Sequence, residues 1–276
     1  MILSIITINR NNAAGLEKTM QSVLSQALTD YEYVVVDGAS TDDSVAVIER
    51  LAPAFGDRLK WISEPDRGIY NAMNKGIGMA QGEYLLFLNS GDFLVSPDVL
   101  ERVSQALKKE GMPPILYGNI IKLFPDGRTQ RTSFINGKEI TLKVFYTLSL
   151  PHPSSFIRRS LFDKYGLYDE SLKIVSDWKW FLQVVVLGGE RATYSNIDVS
   201  FFDMTGISSA NRSLRQQEGQ LVLDSLIPPR ILADYRDWFF DVELLKRIKR
   251  YPWAYKMVWF LERCLFKWEK WRKPKK

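Results

Sequence analysis

The chain predicts an α/β fold: a mostly parallel sheet flanked by helices, followed by a helical C-terminal extension. Three observations predict it. Short apolar runs rich in Val and Ile alternate with helical stripes through the first ninety residues. Strands that are dry along their whole length belong to parallel sheets covered on both faces. Each early run also ends on polar or charged residues, and open α/β sheets bind ligands at the carboxyl ends of their strands.

The elements follow in order. ILSIITI (2–8) reads as the first strand, and Leu16, Met20, Val23, Leu24 and Ala27 stripe a helix over 13–27. YEYVVVD (31–37) is the second strand. Ser40, with Asp43 three residues on, reads as the N-cap of a helix carrying Val45, Ile48 and Leu51 at helical spacing. RLKWIS (58–63) is a third strand, 69–81 a helix and EYLLFL (83–88) a fourth strand. Beyond Asp92 the pattern predicts a helix over 97–110, a strand over 114–120 and a turn at PDGR (125–128). HPSSFIRR (152–159) reads as extended, followed by a helix near 176–187, a strand near 191–202 and a helix over about 210–226. Pro228-Pro229 stops a helix and divides a body, 1–227, from an extension, 228–276.

Composition narrows the function. At 276 residues the chain can bury one large core with an appendage. A single cysteine, Cys264, excludes an internal disulfide and a cysteine-based zinc cluster, and a single histidine, His152, excludes a multi-histidine metal site. The opening MILSIITINRN is too short and turns polar too soon for a signal peptide, and no stretch approaches the ~18 unbroken apolar residues of a membrane span. A cytoplasmic catalytic body is therefore expected. The net charge of +5 hides an asymmetry: residues 246–276 carry 12 Lys/Arg against Glu262 and Glu269, so the remainder holds 25 basic and 30 acidic residues. A body of that sign has no basic face for nucleic acid.

The polar strand ends carry the chemistry. The first strand delivers Thr7, Asn9 and Arg10, and the second delivers Asp37. The third leads into Glu64-Pro65-Asp66-Arg67-Gly68, and the fourth into Asn89-Ser90-Gly91-Asp92. Each group alone suits a surface turn. Together, at the ends of adjacent parallel strands, they converge on one crevice. A dinucleotide site would need a glycine-rich turn after the first strand, and NRNNAAG lacks one, so a Rossmann cofactor is rejected. An Asp at the second strand end can accept a hydrogen bond from a pyrimidine N–H, and Arg67 can neutralise or stack on a nucleotide. Asp92 is a hard oxygen ligand suited to Mg²⁺ or Mn²⁺ bridging a diphosphate, and Gly91 lets backbone approach the ligand.

Five stretches together resemble the family-2 glycosyltransferases of GT-A (Rossmann-like) fold, especially the bacterial polysaccharide-assembly type. They are SIITINRNN (4–12), VVVDGASTDDS (34–44), SEPDRGIYNAMNKGIGMAQGEY (63–84), FLNSGD (87–92) and VSDWKW (175–180). The resemblance covers about residues 1–203 and implies an inverting transferase with a nucleotide-sugar donor and Mg²⁺ or Mn²⁺. It implies donor contacts at Thr7, Asn9, Asp37, Arg67, Asn74, Asn89 and Ser90, with Asp37 on the base. It places the metal at Asp92, in a tetrad where Asn89 and Gly91 stand in place of the commoner carboxylates. It assigns the general base to Asp177, which by spacing alone would cap the helix starting near 176. His152 and Trp178 fall on the acceptor side, where His152 can meet metal, phosphate or acceptor, or serve the core. Thr205–Ser209 resembles a segment that closes over donor, and also an ordinary loop.

The extension is a separate object. On a helix, Trp253, Met257, Phe260, Leu261, Cys264, Trp268 and Trp271 share one face, Lys256, Arg263, Lys267 and Lys270 flank it, and Tyr255, Trp259 and Phe266 form a second stripe. Aromatic-plus-basic composition suits a helix lying on an anionic membrane, here the cytoplasmic face of the inner membrane. A packed helix with solvated charges is the plainer alternative. The expected partners are thus a nucleotide-sugar donor, a saccharide or lipid-linked acceptor and a membrane surface. Two rival functions stay open: a nucleotidyltransferase, and a membrane-docked scaffold that has lost catalysis.

Overall fold

The structure, a computed structural model, describes residues 3–132, 139–206 and 211–272. The chain separates into two compact units, Met1–Gly219 and Gln220–Lys276.

The first unit opens with the alternation its sequence dictates. Strands β1 (Leu3–Asn9), β2 (Tyr31–Asp37), β3 (Leu59–Ser63) and β4 (Tyr84–Phe87) alternate with helices α1 (Ala13–Leu24), α2 (Ser44–Phe55) and α3 (Ile69–Met79). Then follow β5 (Phe93–Leu94), α4 (Val99–Lys109), β6 (Ile115–Leu123), β7 (Thr129–Thr132), α5 (Leu142–Thr147), β8 (Ser155–Arg158) and α6 (Ser160–Tyr165). Helix α7 (Ser176–Phe181) runs on through a π-helical stretch, Leu182–Leu187, into β9 (Ala192–Asp203).

These strands form one sheet in the order β3-β2-β1-β4-β8-β6-β9-β5, with β7 paired to β6. The β3-β2-β1-β4 half is parallel throughout. Beyond it the sheet is mixed: β8 runs antiparallel to β4 and β6, β6 parallel to β9, and β5 antiparallel to β9. Leu3, Ile5, Tyr33, Val35, Leu86 and Leu88 form one core face with Leu16, Met20 and Val23 of α1 and Leu100, Val103 and Leu107 of α4. Each such side chain, fully buried, stabilises by roughly 1.5–3 kcal/mol relative to exposure.

Departures from the expected elements have local causes. Ser40 does not cap α2, because its N–H and hydroxyl both donate to Asp37 (2.9 and 2.6 Å). The helix instead begins at Ser44, whose N–H is taken by Asp42 (3.0 Å). β6 continues to Leu123 because the PDGR turn closes a hairpin pairing Leu123 with Thr129.

In the second unit, α8 (Arg212–Leu226), which crosses the boundary, is followed by α9 (Pro229–Lys249) and α10 (Pro252–Arg272). Pro228 and Pro229 mark the joint between α8 and α9, and Arg236 of α9 pairs with Asp224 of α8 at 2.9 Å. Among the described residues no helix is long and apolar enough to cross a membrane. Aromatic residues of α9 and α10 stand in solvent, with Trp253 69% and Trp271 85% exposed.

Candidate active site

The chain leaves β1, builds β2 and β3 on one side, then returns to place β4 on the other side of β1. A crevice opens outside the strand ends at such a reversal. The register fixes what lines it: Asn9 stands opposite Asp37, Asp37 opposite Ser63, and Ser90 N–H extends the ladder onto Ile8 O (3.1 Å).

Asp37 is fully buried and accepts from Asn9 Nδ2 (2.8 Å), Ser63 Oγ (2.7 Å) and both Ser40 donors. Burial pushes its carboxyl up, but the hydrogen bonds from Ser40, Ser63 and Asn9 outweigh that and hold it below the ordinary value. Asn9, turned to Asp37, leaves its own Oδ1 buried without a partner among the described residues. Asp66 lies over the same corner: a Cβ at Gly38 would run into its carboxylate, and Arg10 approaches it at 4.0 Å. Thr7 faces inward, bonded to Tyr33 OH (2.9 Å) and Leu88 O (2.7 Å), so it braces the strand end.

The tetrad after β4 forms the other lip. Asn12 Nδ2 donates to Ser90 Oγ at 3.0 Å, tying the start of α1 to the tetrad. Gly91 takes φ +105, and a Cβ there would lie 3.2 Å from Asp203 Oδ2, so glycine lets a second carboxylate in. Asp203, at the end of β9, donates its N–H to Asp92 Oδ1 (2.9 Å). Burial, with the Asp203 charge adding to it against that hydrogen bond, pushes the Asp92 carboxyl up to about 8. Asn89 Oδ1 is buried with no partner among the described residues.

Two carboxylates that repel and an orphaned amide oxygen are hard donors short of a positive charge, which fits Mg²⁺ or Mn²⁺. Among the described residues no three His, Cys, Asp or Glu side chains cluster to hold a metal ion. Asp92, Asp203 and Asn89 therefore suit an ion that completes its shell with ligand oxygens.

Across the crevice, α3 holds the segment that leads into α7. Asn74 Nδ2 donates to Tyr168 O (2.9 Å) and Glu170 Oε1 (3.0 Å), and its Oδ1 accepts Tyr168 N–H (3.0 Å). Glu170 also takes Asn71 Nδ2 (2.9 Å) and the Arg67 guanidinium (2.6 Å). Arg67 is 79% exposed, so its pairing is one a polyanion can compete for. Asn74, by contrast, is committed to holding the 168–170 segment. Asp177, in the first turn of α7, is half-buried and accepts from Tyr70 OH at 2.8 Å.

His152 lies beneath, buried, with its ring stacked on Phe87 (centroids 4.8 Å) and Nε2 bonded to Tyr168 OH (2.9 Å). Burial lowers its pKa, with the Asp177 charge acting the other way. Trp178 spends its Nε1 on Phe145 O (3.0 Å) and Leu148 O (3.2 Å), fixing α5 beside α7. Thr205 N–H and Oγ1 both donate to Asp203 (2.8 Å each), while 207–209 of the expected closing segment lie outside the described residues.

Asp203, Glu170 and Tyr70 complete the arrangement and are not among the residues that the sequence singles out. Asp203 follows the same strand-end rule as Asp37 and could have been found by extending it to the last strand. Glu170 and Tyr70 are partnered across 99 and 107 residues, a separation that no local pattern encodes.

Similarity to known proteins gives the family. Residues 4–166 match the model of glycosyl transferase family 2. A PGL/p-HBAD biosynthesis glycosyltransferase of Mycobacterium bovis is 33% identical over 206 residues, 74% of this chain and 78% of that protein. An uncharacterized glycosyltransferase of Mycobacterium tuberculosis is 34% identical over 215 residues, covering 75% and 77%. Among solved structures, Staphylococcus aureus TarS 1–349 with UDP-GlcNAc superposes with a TM-score of 0.66 at 21% identity, covering 81% of this chain and 64% of that one. The mannosyltransferase PcManGT of Pyrobaculum calidifontis, with GDP-Man and Mn²⁺, gives 0.57 at 17%, covering 78% and 59%. A sheet with polar groups gathered at its reversal, the family match over the same residues, and the mycobacterial relatives together place this chain in glycosyltransferase family 2, with a GT-A-type fold.

Proposed function

We propose that the chain is an inverting, metal-dependent glycosyltransferase that moves one sugar from a nucleoside-diphosphate-sugar, a UDP-sugar, to a saccharide or lipid-linked saccharide acceptor in surface polysaccharide synthesis. The carrying observation is the shared register of Asn9, Asp37 and Ser63 at the reversal, with Asp92 and Asp203 on the opposite lip. The base end of a nucleotide suits the Asn9–Asp37–Asp66 corner. Its diphosphate suits the Asn89–Asp92 edge, where bound Mg²⁺ or Mn²⁺ would offset phosphate charge. Arg67, released from Glu170, adds positive charge on the same ligand.

Asp177 takes the proton of an acceptor hydroxyl as that oxygen attacks the anomeric carbon. The bond from that carbon to the diphosphate breaks on the opposite side, so configuration inverts and the diphosphate leaves with the bonding pair. Groups around Asp177 serve the acceptor side: His152 and Trp178 shape its floor and flank through Tyr168 and α5. A lipid-linked acceptor accords with the exposed aromatic and basic residues of α10, which suit the anionic cytoplasmic face of an inner membrane.

Release of UDP from a panel of UDP-sugars with Mn²⁺ tests the assignment. Asp177→Asn is expected to cut turnover by about 10²–10⁴ while leaving UDP binding intact. Unchanged turnover removes Asp177 from the chemistry.

A further inference from the structure

Asp177 stands on a short helix, α7, whose placement the sheet does not dictate. Its carboxylate is fixed from outside that helix. Tyr70 OH donates to Oδ1 at 2.8 Å, and Tyr70 itself is 4% exposed within α3. Tilted against the Tyr70 ring, with centroids 5.7 Å apart, is the ring of Tyr168, whose backbone is held by Asn74. Glu170, on the same segment, is gripped by Arg67, Asn71 and Asn74. At the far end of the segment, Glu218 accepts the N–H groups of Lys173 (2.7 Å) and Ile174 (2.9 Å) just before α7. The backbone leading to the base is thus held at both ends, and the side chain by one phenol.

We infer that Tyr70 is a positioning residue for the reaction: its hydroxyl locks one oxygen of Asp177 so that the other faces the acceptor hydroxyl. The inference rests on the reading of Asp177 as base and adds to it a specific group acting through it. The physical case is directional. A carboxylate on a free χ rotor presents its second oxygen in many orientations, and productive proton transfer needs one within hydrogen-bonding reach. A phenol suits the task because it can donate without competing for the proton. Burial and the adjacent Asp177 charge both keep Tyr70 protonated far above neutral pH. Its location in α3 also joins the strut to the helix that follows Arg67, so the donor-facing and base-bearing parts share one rigid element.

The test uses the full chain, Mn²⁺ and whichever UDP-sugar of the panel releases UDP fastest. Tyr70→Phe keeps the ring and removes the hydroxyl. We expect kcat to fall about 10- to 100-fold, with the donor KM and the thermal midpoint unchanged. In an Asp177→Asn background the same substitution should cost nothing further, because the group it orients is gone. Wild-type kcat in Tyr70→Phe overturns the proposal, as do losses that multiply in the double variant or a raised KM with unchanged kcat. Full turnover in Asp177→Asn, or no UDP released from any member of the panel, overturns the underlying base reading whatever Tyr70 does.

Discussion

Asp92 is a buried carboxylate, 5% exposed, pressed by a second carboxylate and raised to about 8. An acid with its folded pKa above its unfolded value near 4 binds a proton more tightly when folded. Its contribution is therefore full below about pH 4 and is lost as pH rises through about 8. A divalent cation reverses the balance, since it binds the ionised form. With chelator present, the thermal midpoint should decline between pH 5 and 8.5 more steeply in wild type than in Asp92→Asn. Stabilisation by Mn²⁺ with UDP should grow over the same range in wild type and be absent from the variant. Equal slopes and equal stabilisation would remove Asp92 from the metal edge. At this scale the sequence located Asp37 at the end of β2, and Asn89 and Asp92 in the turn after β4, because the apolar run of each strand marks where it ends. It misled at Ser40, whose spacing to Asp43 imitates a capping pattern although its hydroxyl serves Asp37. Thr7 and Asn74 have the right positions for a ligand, yet their side chains are committed to strand and segment.

Whole elements were legible where they carry a period. The four parallel strands and the helices between them lie close to where the apolar runs put them, since strands dry on both faces and amphipathic helices leave distinct patterns. Short β5, α5 and α6 did not show, because elements of two to six residues are set by tertiary contacts and leave too little pattern to read. Helix α10 is the element that the proposal sets against a membrane. Trp253, Trp259 and Trp271 are exposed beside a stretch carrying ten more positive than negative charges. Each indole buried in a lipid interface and each Lys or Arg near anionic headgroups would contribute on the order of 1 kcal/mol or more. Co-sedimentation with phosphatidylglycerol vesicles should be strong at low salt, weaken as salt rises, and fall at least about tenfold when the three tryptophans become alanine. Equal binding to neutral vesicles, or no loss in the triple variant, would contradict a membrane-facing helix.

At the scale of the molecule, function follows from topology. Reversing strand order at β1 opens a crevice, and the register across β1, β2 and β3 sets Asn9, Asp37 and Ser63 side by side there. Half of this was readable without coordinates, because strand ends in an α/β fold have one destination. The opposing half was not. It depends on β9 returning to place Asp203 against Asp92, and on α3 reaching across about a hundred residues of sequence to Glu170 and Asp177. Such pairings are products of the closed fold and have no local period.

A crystal structure of the full chain with UDP and Mn²⁺ would show whether the crevice at the β1–β4 reversal holds the nucleotide. Uracil is expected in the Asn9–Asp37–Asp66 corner, diphosphate against Asn89–Asp92, and the ion on Asp92 with Asp203 beside it. UDP bound away from the β1–β4 reversal, or bound there with its diphosphate remote from Asp92, would contradict that placement.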